Sequence, residues 1–367
     1  MIRIKSPGRI CLFGEHQDYL DYPIISMAIS KYIYLEARRI SEKKFEIYLP
    51  NLNQFMEIPL NNEELDYKSK RDYLISGYNQ FIRKKFRFNK GYKIKITGDI
   101  PINAGVASSS ALVICWLHFL NFITERKLEP FQMALEGYNT EVKEFQEGGG
   151  MMDHFTSVFG NLIFLKPEEP KPQLKTYDFT LDGFVLGNSM EKKATVDDLV
   201  RTKFSSLNAF KILNSIFPKF NRFYTKLEDI KPYLSSINEE YKKKIIGNII
   251  NRDITYKAKN LIENHITLVK QGISRSVDLD FYQKLGTLLN QHQEQLRDNI
   301  GVSTCKINKI IEDCLETGAF GGKINGSGFG GTMFALFPNN EQILKKTIQK
   351  AGGKAYNIKT SYGVETY

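Results

Sequence analysis

The chain has 367 residues, of which 42% are hydrophobic and 25% are charged, as in globular proteins large enough for two domains. Its formal net charge of +10 favours anionic partners: nucleic acid, acidic lipid or a phosphorylated small molecule. The longest apolar run, 111–120, is far shorter than the ~20 residues of a spanning helix, which excludes a membrane-spanning protein.

The spacing of the cysteines and the short basic runs narrow the classes of protein further. Cys11, Cys115, Cys305 and Cys314 form no C-x-x-C pair, which argues against a zinc site and a disulfide framework. We therefore expect reduced thiols in a cytoplasmic protein, also because the first residues lack an apolar core of signal-peptide length. The basic runs at 83–87 and 242–244 show helical periodicity and predict solvated helix faces.

The first half of the chain opens with β-rich stretches. Strands are predicted on both sides of a Pro7-Gly8 turn, and then over 24–29, 32–40 and 44–49. A helix follows over 71–86 and a strand over 92–98. The pattern then predicts an apolar helix from the serines at 108–110 to about 123, a helical stretch over 130–147 and a strand over 161–167.

Helices dominate the second half. A strand near 184 precedes helical periodicity over 193–216, 236–268 and 278–297. A glycine-rich stretch, a strand, a helix near 340–350 and a final pair of strands complete the chain. Because strands and helices do not alternate regularly, an α+β protein in two lobes is favoured over a doubly wound sheet.

The stretch PINAGVASSSA at 101–111 is a loop of small residues before an apolar helix. Its backbone N–H groups can close on an anion, and the helix adds the positive end of its dipole. Serine hydroxyls at this place can also ligate Mg²⁺ held between phosphates. The pattern suits a triphosphate, although it lacks the Gly-Lys-Ser/Thr of a Walker A loop. The alternative is a helix cap with more serines than it needs.

A second glycine-rich stretch, GSGFGG at 326–331, fits the dinucleotide pattern G-x-G-x-x-G. That interpretation fails because a strand follows the glycines, and Ala351 stands where an acidic residue is required. We expect instead a tight backbone crossing beneath a neighbouring loop, which glycine permits.

Two polar stretches hold candidate binding residues. Glu15, His16 and Asp18 follow Arg9 within ten residues. Carboxylates in such a cluster suit a polyhydroxylated ligand, and the alternative is an exposed polar loop. Asp153 follows three glycines at the start of a short helix, where it either contacts a substrate or caps the helix.

In this order, these stretches resemble the GHMP kinase superfamily, and within it the galactokinases. PGRICLFGEHQDY at 7–19 resembles the galactokinase signature, and 101–111 resembles the phosphate-binding loop. GGGMMDHF at 148–155 resembles the segment with the catalytic aspartate, and 290–331 resembles the C-terminal helix pair and final glycine loop. Ser110 stands where the family usually has alanine, so we expect it to be tucked against its helix as an alanine-sized residue.

The resemblance implies the two-lobed α+β GHMP kinase fold. An N-terminal domain over 1–180 would be similar to ribosomal protein S5 domain 2, and a C-terminal domain over 181–367 would be of ferredoxin-like type. The implied activity is ATP- and Mg²⁺-dependent phosphoryl transfer to a sugar hydroxyl, best the anomeric hydroxyl of galactose or a related sugar. No nucleic-acid or membrane partner is implied, and the oligomeric state stays open.

The resemblance also implies a role for each matching residue. The residues that would bind ATP are Pro101, Asn103, Ala104, Gly105, Val106, Ala107, Ser108, Ser109 and Ser110. Those that would bind the sugar are Glu15, His16, Asp18, Gly150 and Asp153. Arg9 and Asp153 would be catalytic, with Asp153 removing or only orienting the hydroxyl proton. Ser109 and Glu141 would approach Mg²⁺, with Glu144 and Glu147 as alternatives to Glu141. Gly326, Gly328, Gly330 and Gly331 would form a structural loop.

Two departures from the galactokinase pattern leave the acceptor open. Leu20, Asp21 and Tyr22 replace an asparagine and two glycines, and DDLVRTK at 197–203 replaces a segment whose tyrosine touches the sugar, although Arg201 is kept. The alternatives are arabinose, a uronic acid, an amino sugar or a heptose as acceptor. A non-sugar alcohol such as mevalonate and a non-catalytic regulator that binds sugar and ATP are further alternatives.

Overall fold

The computed structural model describes residues 1–101, 104–168, 171–191, 196–274 and 278–367. The helices are α1 (Tyr73–Arg83), α2 (Ser108–Ile123), α3 (Pro130–Tyr138), α4 (Met152–Phe159), α5 (Val196–Ile216), α6 (Leu227–Ile230), α7 (Glu239–Lys270), α8 (Leu279–Glu294), α9 (Cys305–Glu316) and α10 (Glu341–Lys350). The strands are β1 (Ile2–Phe13), β2 (Ile24–Ile40), β3 (Lys44–Leu49), β4 (Gln54–Pro59), β5 (Gly91–Gly98), β6 (Leu162–Lys166), β7 (Gln173–Tyr177), β8 (Phe184–Asn188), β9 (Gly321–Asn325), β10 (Thr332–Leu336), β11 (Lys354–Asn357) and β12 (Glu365–Thr366). None of these helices is long and apolar enough to cross a bilayer.

The larger sheet is built around the long strands β1 and β2. Its order is β12-β1-β2-β5-β3-β4, with β6 paired to β2 and β7 paired to β6. Helices α1 to α4 pack on one face, with the fully buried Trp116 of α2 near the centre of the core. The Trp116 ring stacks on Phe119 and meets Phe45 edge-on, and its Nε1–H donates to the Leu74 carbonyl at 2.9 Å. Apolar side chains at helical spacing thus hold α2 on the sheet.

The smaller sheet has the ferredoxin-like order expected for the C-terminal lobe. Its antiparallel strands run β11-β8-β10-β9, and helices connect β8 to β9 and β10 to β11. A shared apolar core that includes Leu12 of β1, Ile262 of α7 and Phe334 of β10 joins this sheet to the larger one. The chain passes between the sheets after β7, near the boundary predicted at 180/181, but β12 returns to pair with β1. The two-domain division itself stays a prediction.

The first correction concerns Pro7 and Gly8. The sequence predicted a turn there, but β1 continues through both residues. A register shift between them against β2 accommodates the proline, which has no N–H to donate to a ladder. The Pro7 carbonyl accepts from Ser157 Oγ at 2.9 Å, so the irregular position is also tied to α4.

Three further expectations change in detail. The two strands predicted over 24–40 are one strand, β2. The helical stretch over 130–147 is α3 followed by a π-helical turn, Asn139–Lys143. The final strands do not pair with each other, because β11 lies in the smaller sheet and β12 in the larger one.

The expected crossing of the glycine-rich stretch beneath another loop is confirmed. Gly326 lies directly against Gly105, and a Cβ on Gly326 would lie 2.5 Å from the Gly105 carbonyl oxygen. Gly326 also has a φ of 84°, in the left-handed region that glycine favours. No larger residue fits this place without moving the loop at 104–107.

We therefore expect Gly326→Ala to destabilise the protein more than Gly352→Ala. Gly352 also has a positive φ (76°), but a Cβ there would meet nothing within 4 Å. The control should lose about 1 kcal/mol from backbone strain alone, and Gly326→Ala about 1–3 kcal/mol more from overpacking. Urea unfolding measures both, and equal losses would contradict the crossing.

Candidate active site

The residues predicted to bind ligands line one large cleft of about 1390 Å³. The predicted residues on its wall are Arg9, Glu15, His16, Asp18, Gly105, Ala107, Ser108, Ser109, Ser110, Glu141, Glu147, Gly150, Asp153 and Gly326. Ala104 and Val106 are buried behind the wall, and Pro101, Gly328, Gly330 and Gly331 do not line the cleft. Asn103 lies outside the described residues. Sequence stretches more than 300 residues apart thus meet at one place.

Helix α2 begins at this cleft without a side-chain cap. Its N-cap residue is Ala107, in the left-handed conformation, and none of the three serines that follow caps it. The first backbone N–H groups of a helix have no partner within the helix, so those of Ser108 to Ser110 are available to an anion. The interpretation of the serines as surplus capping is therefore wrong.

The loop before α2 is held from behind through its carbonyl groups. The Gly105 carbonyl accepts from Arg9 Nη1 at 2.7 Å and from Asn325 Nδ2 at 2.9 Å. The Ala104 carbonyl accepts from Thr332 Oγ1 at 2.6 Å. Because these bonds engage carbonyl oxygens, they leave the loop's N–H groups free to point elsewhere.

Arg9 and Asp153 form an ion pair at the centre of the cleft. Arg9 Nε and Nη2 donate to the two carboxylate oxygens of Asp153 at 2.7 and 2.9 Å. Burial disfavours the charged guanidinium, but Asp153 and Glu15 outweigh burial and raise the pKa of Arg9. The Asp153 side chain keeps 25% of its surface exposed, so a ligand can reach it. The fork geometry fixes the carboxylate in one orientation.

Glu15 and His16 are held mainly by the glycine-rich stretch between β9 and β10. Glu15 Oε2 accepts from the buried Lys323 Nζ at 3.2 Å and from the Gly326 N–H at 2.9 Å. Burial lowers the pKa of His16 to about 4, so the ring is neutral at pH 7. Its Nε2 lies 3.1 Å from the Ser327 carbonyl and its Nδ1 2.8 Å from the Tyr19 hydroxyl, which assigns the proton to Nε2.

Asp18 is a buried carboxylate on the wall of the cleft. It packs on Gly150, where a Cβ would lie 2.1 Å from Asp18 Oδ2. Burial, followed by the charge of Asp153, raises the pKa of Asp18 to about 6. The Tyr19 N–H at 2.9 Å and the Met152 N–H at 3.4 Å donate to its oxygens. Asp18 and Asp153 thus both line the cleft with oxygens that can accept hydrogen bonds from ligand hydroxyl groups.

The three glutamates that are candidates for metal binding differ in their partners and in whether they line the cleft. Glu144 is bound by Arg83, Tyr67 and Gln80 and does not line the cleft. Glu147 lines the cleft, but Arg71 and Tyr73 bind its Oε1 at 2.8 and 2.7 Å.

Glu141, in the π-helical turn, faces the serines of α2. His154 Nε2 donates to its Oε2 at 2.8 Å. Burial acts to raise the pKa of Glu141, but bonds from His154 and then from Ser109 and Ser110 lower it below the usual value. Glu141 is therefore ionised and next to the start of α2, which favours it among the three as the carboxylate for a cation.

Sequence reasoning missed several supporting residues. Lys323, Asn325 and Thr332 brace the site from β9 and β10, but in the sequence they belong to ordinary strands. His154 follows Asp153 directly, and nothing in the spacing indicates that it reaches Glu141. The one available signal was Lys323 itself, because a lysine within an otherwise apolar or small-residue strand needs a buried partner.

Helix α5 contributes to the wall of the cleft. Leu199 lines the cleft, and Val200 Cγ2 lies 3.0 Å from where a Cβ on Gly148 would be. Arg201 instead pairs with Asp198 on the exposed surface. The replaced segment thus contributes an apolar side chain to the cleft.

Comparisons with known proteins match this arrangement. Residues 72–161 match the GHMP kinases N terminal domain, residues 278–354 match the GHMP kinases C terminal domain, and residues 2–39 match the galactokinase galactose-binding signature. The chain is 25% identical to a galactokinase of Pyrococcus furiosus, covering 99% of both chains, and 26% identical to a mevalonate kinase of the same organism, covering 95% of this chain and 93% of that one.

Solved structures share the fold. The structure of Lactococcus lactis galactokinase complexed with galactose has a TM-score of 0.83 at 21% identity, covering 99% of this chain and 94% of that one. The structure of Methanococcus jannaschii mevalonate kinase has a TM-score of 0.67 at 19% identity, covering 98% of both chains. With both GHMP kinase domains matched in order and the two-lobed fold present, the chain belongs to the GHMP kinase family.

Proposed function

We propose that this chain transfers the γ-phosphoryl group of ATP to a sugar hydroxyl, with the anomeric hydroxyl of galactose or a related sugar as acceptor. One observation carries the proposal: the Arg9–Asp153 pair and the uncapped start of α2 face the same cleft. The matched galactose-binding signature at 2–39 and the relatives named galactokinase support the choice of sugar. The cleft therefore holds both a place for the phosphates and a carboxylate for the acceptor hydroxyl.

The N–H groups of Ser108 to Ser110 would bind the phosphates, because an uncapped helix start favours an anion. Arg9 would stabilise the charge that develops on the transferred group. Asp153 would orient the acceptor hydroxyl, because Arg9 fixes both of its oxygens, and would accept the hydroxyl proton. Glu15, His16 and Asp18 would contact other hydroxyls of the sugar, with Gly150 beside Asp18.

The charge of the cleft supports a divalent cation as part of the nucleotide complex. The acidic residues on its wall are Glu15, Asp18, Asp72, Glu141, Glu147, Asp153 and Glu191, and the basic ones are Arg9, Lys68 and Arg71. Negative side chains outnumber positive ones, so the phosphates of ATP need a counter-cation to enter.

Glu141 and Ser109 fit Mg²⁺, which is commonly held by one or two carboxylates together with substrate phosphates. The described residues include no group of three or more side chains that would form an all-protein cage, which agrees with that mode. When bound, Mg²⁺ would neutralise phosphate charge. A cytoplasmic location also remains part of the proposal, supported by the four unpaired cysteines.

We expect purified protein to release ADP with ATP, Mg²⁺ and one member of a panel of acceptors. The panel contains galactose, arabinose, uronic acids, amino sugars, heptoses and mevalonate, and ³¹P NMR of the product identifies the phosphorylated hydroxyl. Asp153→Asn should lower kcat by about 10²–10⁴-fold, because it removes the charged acceptor for the hydroxyl proton. ATP binding, measured by calorimetry, should change little.

Two outcomes would contradict the proposal. Absence of ADP release with every acceptor would exclude a kinase for these substrates and favour a regulator that binds sugar and ATP. Undiminished turnover in Asp153→Asn would remove Asp153 from the reaction.

Asp18 gives a prediction about pH. Its pKa is raised in the folded protein, so its ionisation opposes folding. This contribution to stability is present below pH 4 and is lost as the pH rises through about 6. Asp18→Asn should therefore increase the free energy of unfolding by about 1–3 kcal/mol at pH 8, with the gain vanishing near pH 4.

The same substitution should weaken binding of the sugar, although it stabilises the fold. We expect Asp18→Asn to raise KM for the acceptor, and wild-type KM to rise as the pH falls below 6. Asp21→Asn is the matched control, because Asp21 lies in the same loop with an exposed side chain. A control that shows the same pH-dependent gain would contradict the assignment to Asp18.

A further inference from the structure

The carboxylate of Glu141 is held by a buried histidine. His154 Nε2 donates to Oε2 at 2.8 Å, and the hydroxyls of Ser109 and Ser110 lie near enough to the carboxyl to lower its pKa. The side chains of Glu141 and His154 are 7% and 1% exposed. We propose that Ser110 and His154, here called the Glu141 clamp, are positioning residues that fix Glu141 for the metal–nucleotide complex. The inference rests on the proposed function.

The backbone around Glu141 departs from regular α-helical geometry. Helix α3 passes into the π-helical turn Asn139–Lys143, and Glu141 is its central residue. Ser76 Oγ of α1 donates to the Thr140 carbonyl at 2.9 Å, which ties the turn to the neighbouring helix. Such turns are costly and occur often at functional sites.

His154 has one described polar contact, and that contact is Glu141. Its ring lies against Tyr138, with ring centroids 6.1 Å apart, and next to Gly137. The other ring nitrogen, Nδ1, is buried and without a hydrogen-bond partner among the described residues. A residue needed only for packing would be apolar here, since an unpaired buried nitrogen is unfavourable. The bond to Glu141 explains why an imidazole occupies the position.

Ser110 is the second member of the clamp. It is buried, as expected for an alanine-sized residue, and its hydroxyl lies near enough to Glu141 to lower the pKa of that carboxyl. Ser109 has the same effect on Glu141 and is also the predicted metal contact. With Ser109 engaged by a cation, Ser110 and His154 would still fix Glu141. The clamp therefore separates the task of orienting the carboxylate from the task of meeting the metal.

The test compares His154→Leu, His154→Gln and Ser110→Ala in the full chain. Mn²⁺ binding in the presence of ADP, followed by electron paramagnetic resonance, reports on the metal site without turnover. We expect His154→Leu to weaken Mn²⁺ binding at least tenfold, and Ser110→Ala about threefold. His154→Gln, whose amide can donate to Glu141, should restore most of the affinity. The Mg²⁺ concentration for half-maximal activity should shift in the same order.

His118→Leu is the matched control, because it removes a half-buried imidazole of α2 that binds Thr366 of β12 and does not line the cleft. It should leave Mn²⁺ affinity unchanged. Wild-type affinity in a folded His154→Leu protein, or failure of His154→Gln to restore it, would overturn the proposal. If His154→Leu does not fold, Ser110→Ala decides, and unchanged affinity there overturns the clamp. Clamp-dependent Mn²⁺ binding in a protein that phosphorylates no acceptor would support the clamp and contradict the proposed function.

Discussion

The site depends on the buried guanidinium of Arg9. A buried charge is tolerated only when it is paired and its donors are satisfied, and here Asp153 and the Gly105 carbonyl meet those needs. The same bonds fix the start of α4 and the loop before α2 relative to each other. One side chain from β1 thereby fixes the loop before α2, the proposed phosphate site, relative to Asp153, the proposed contact of the acceptor.

A second buried ion pair supports the first. Lys323 of β9 binds Glu15 and the Cys11 carbonyl, so the end of β1 and the loop after it are tied to the smaller sheet. Asn325, two residues further on, reaches the Gly105 carbonyl and the Cys11 N–H. The two lobes are therefore joined through polar contacts at the site as well as through the apolar core. A substitution in β9 should therefore affect the binding of both ATP and the sugar.

The sequence predicted the parts of this protein that follow local rules. Apolar periodicity indicated α2 and α7, whereas only the resemblance to the GHMP kinases, and no local rule, placed Arg9 beside Asp153. Local rules failed where distant residues decide the outcome. The continuation of β1 through Pro7 depends on pairing with β2, and the partnership of Lys323 with Glu15 spans 308 residues. Residue spacing along the chain does not indicate such contacts, so only the folded structure shows which residues brace the site.

The crossing of Gly326 against Gly105 has a consequence for the order of assembly. The loop at 104–107 is held by Asn325 and Thr332, more than 200 residues downstream. During synthesis on the ribosome, α2, its sheet and the bonds from Arg9 to the loop can form early, while the bonds from Asn325 and Thr332 must wait until β9 and β10 have emerged. The loop would therefore reach its final, fully braced geometry only late in synthesis.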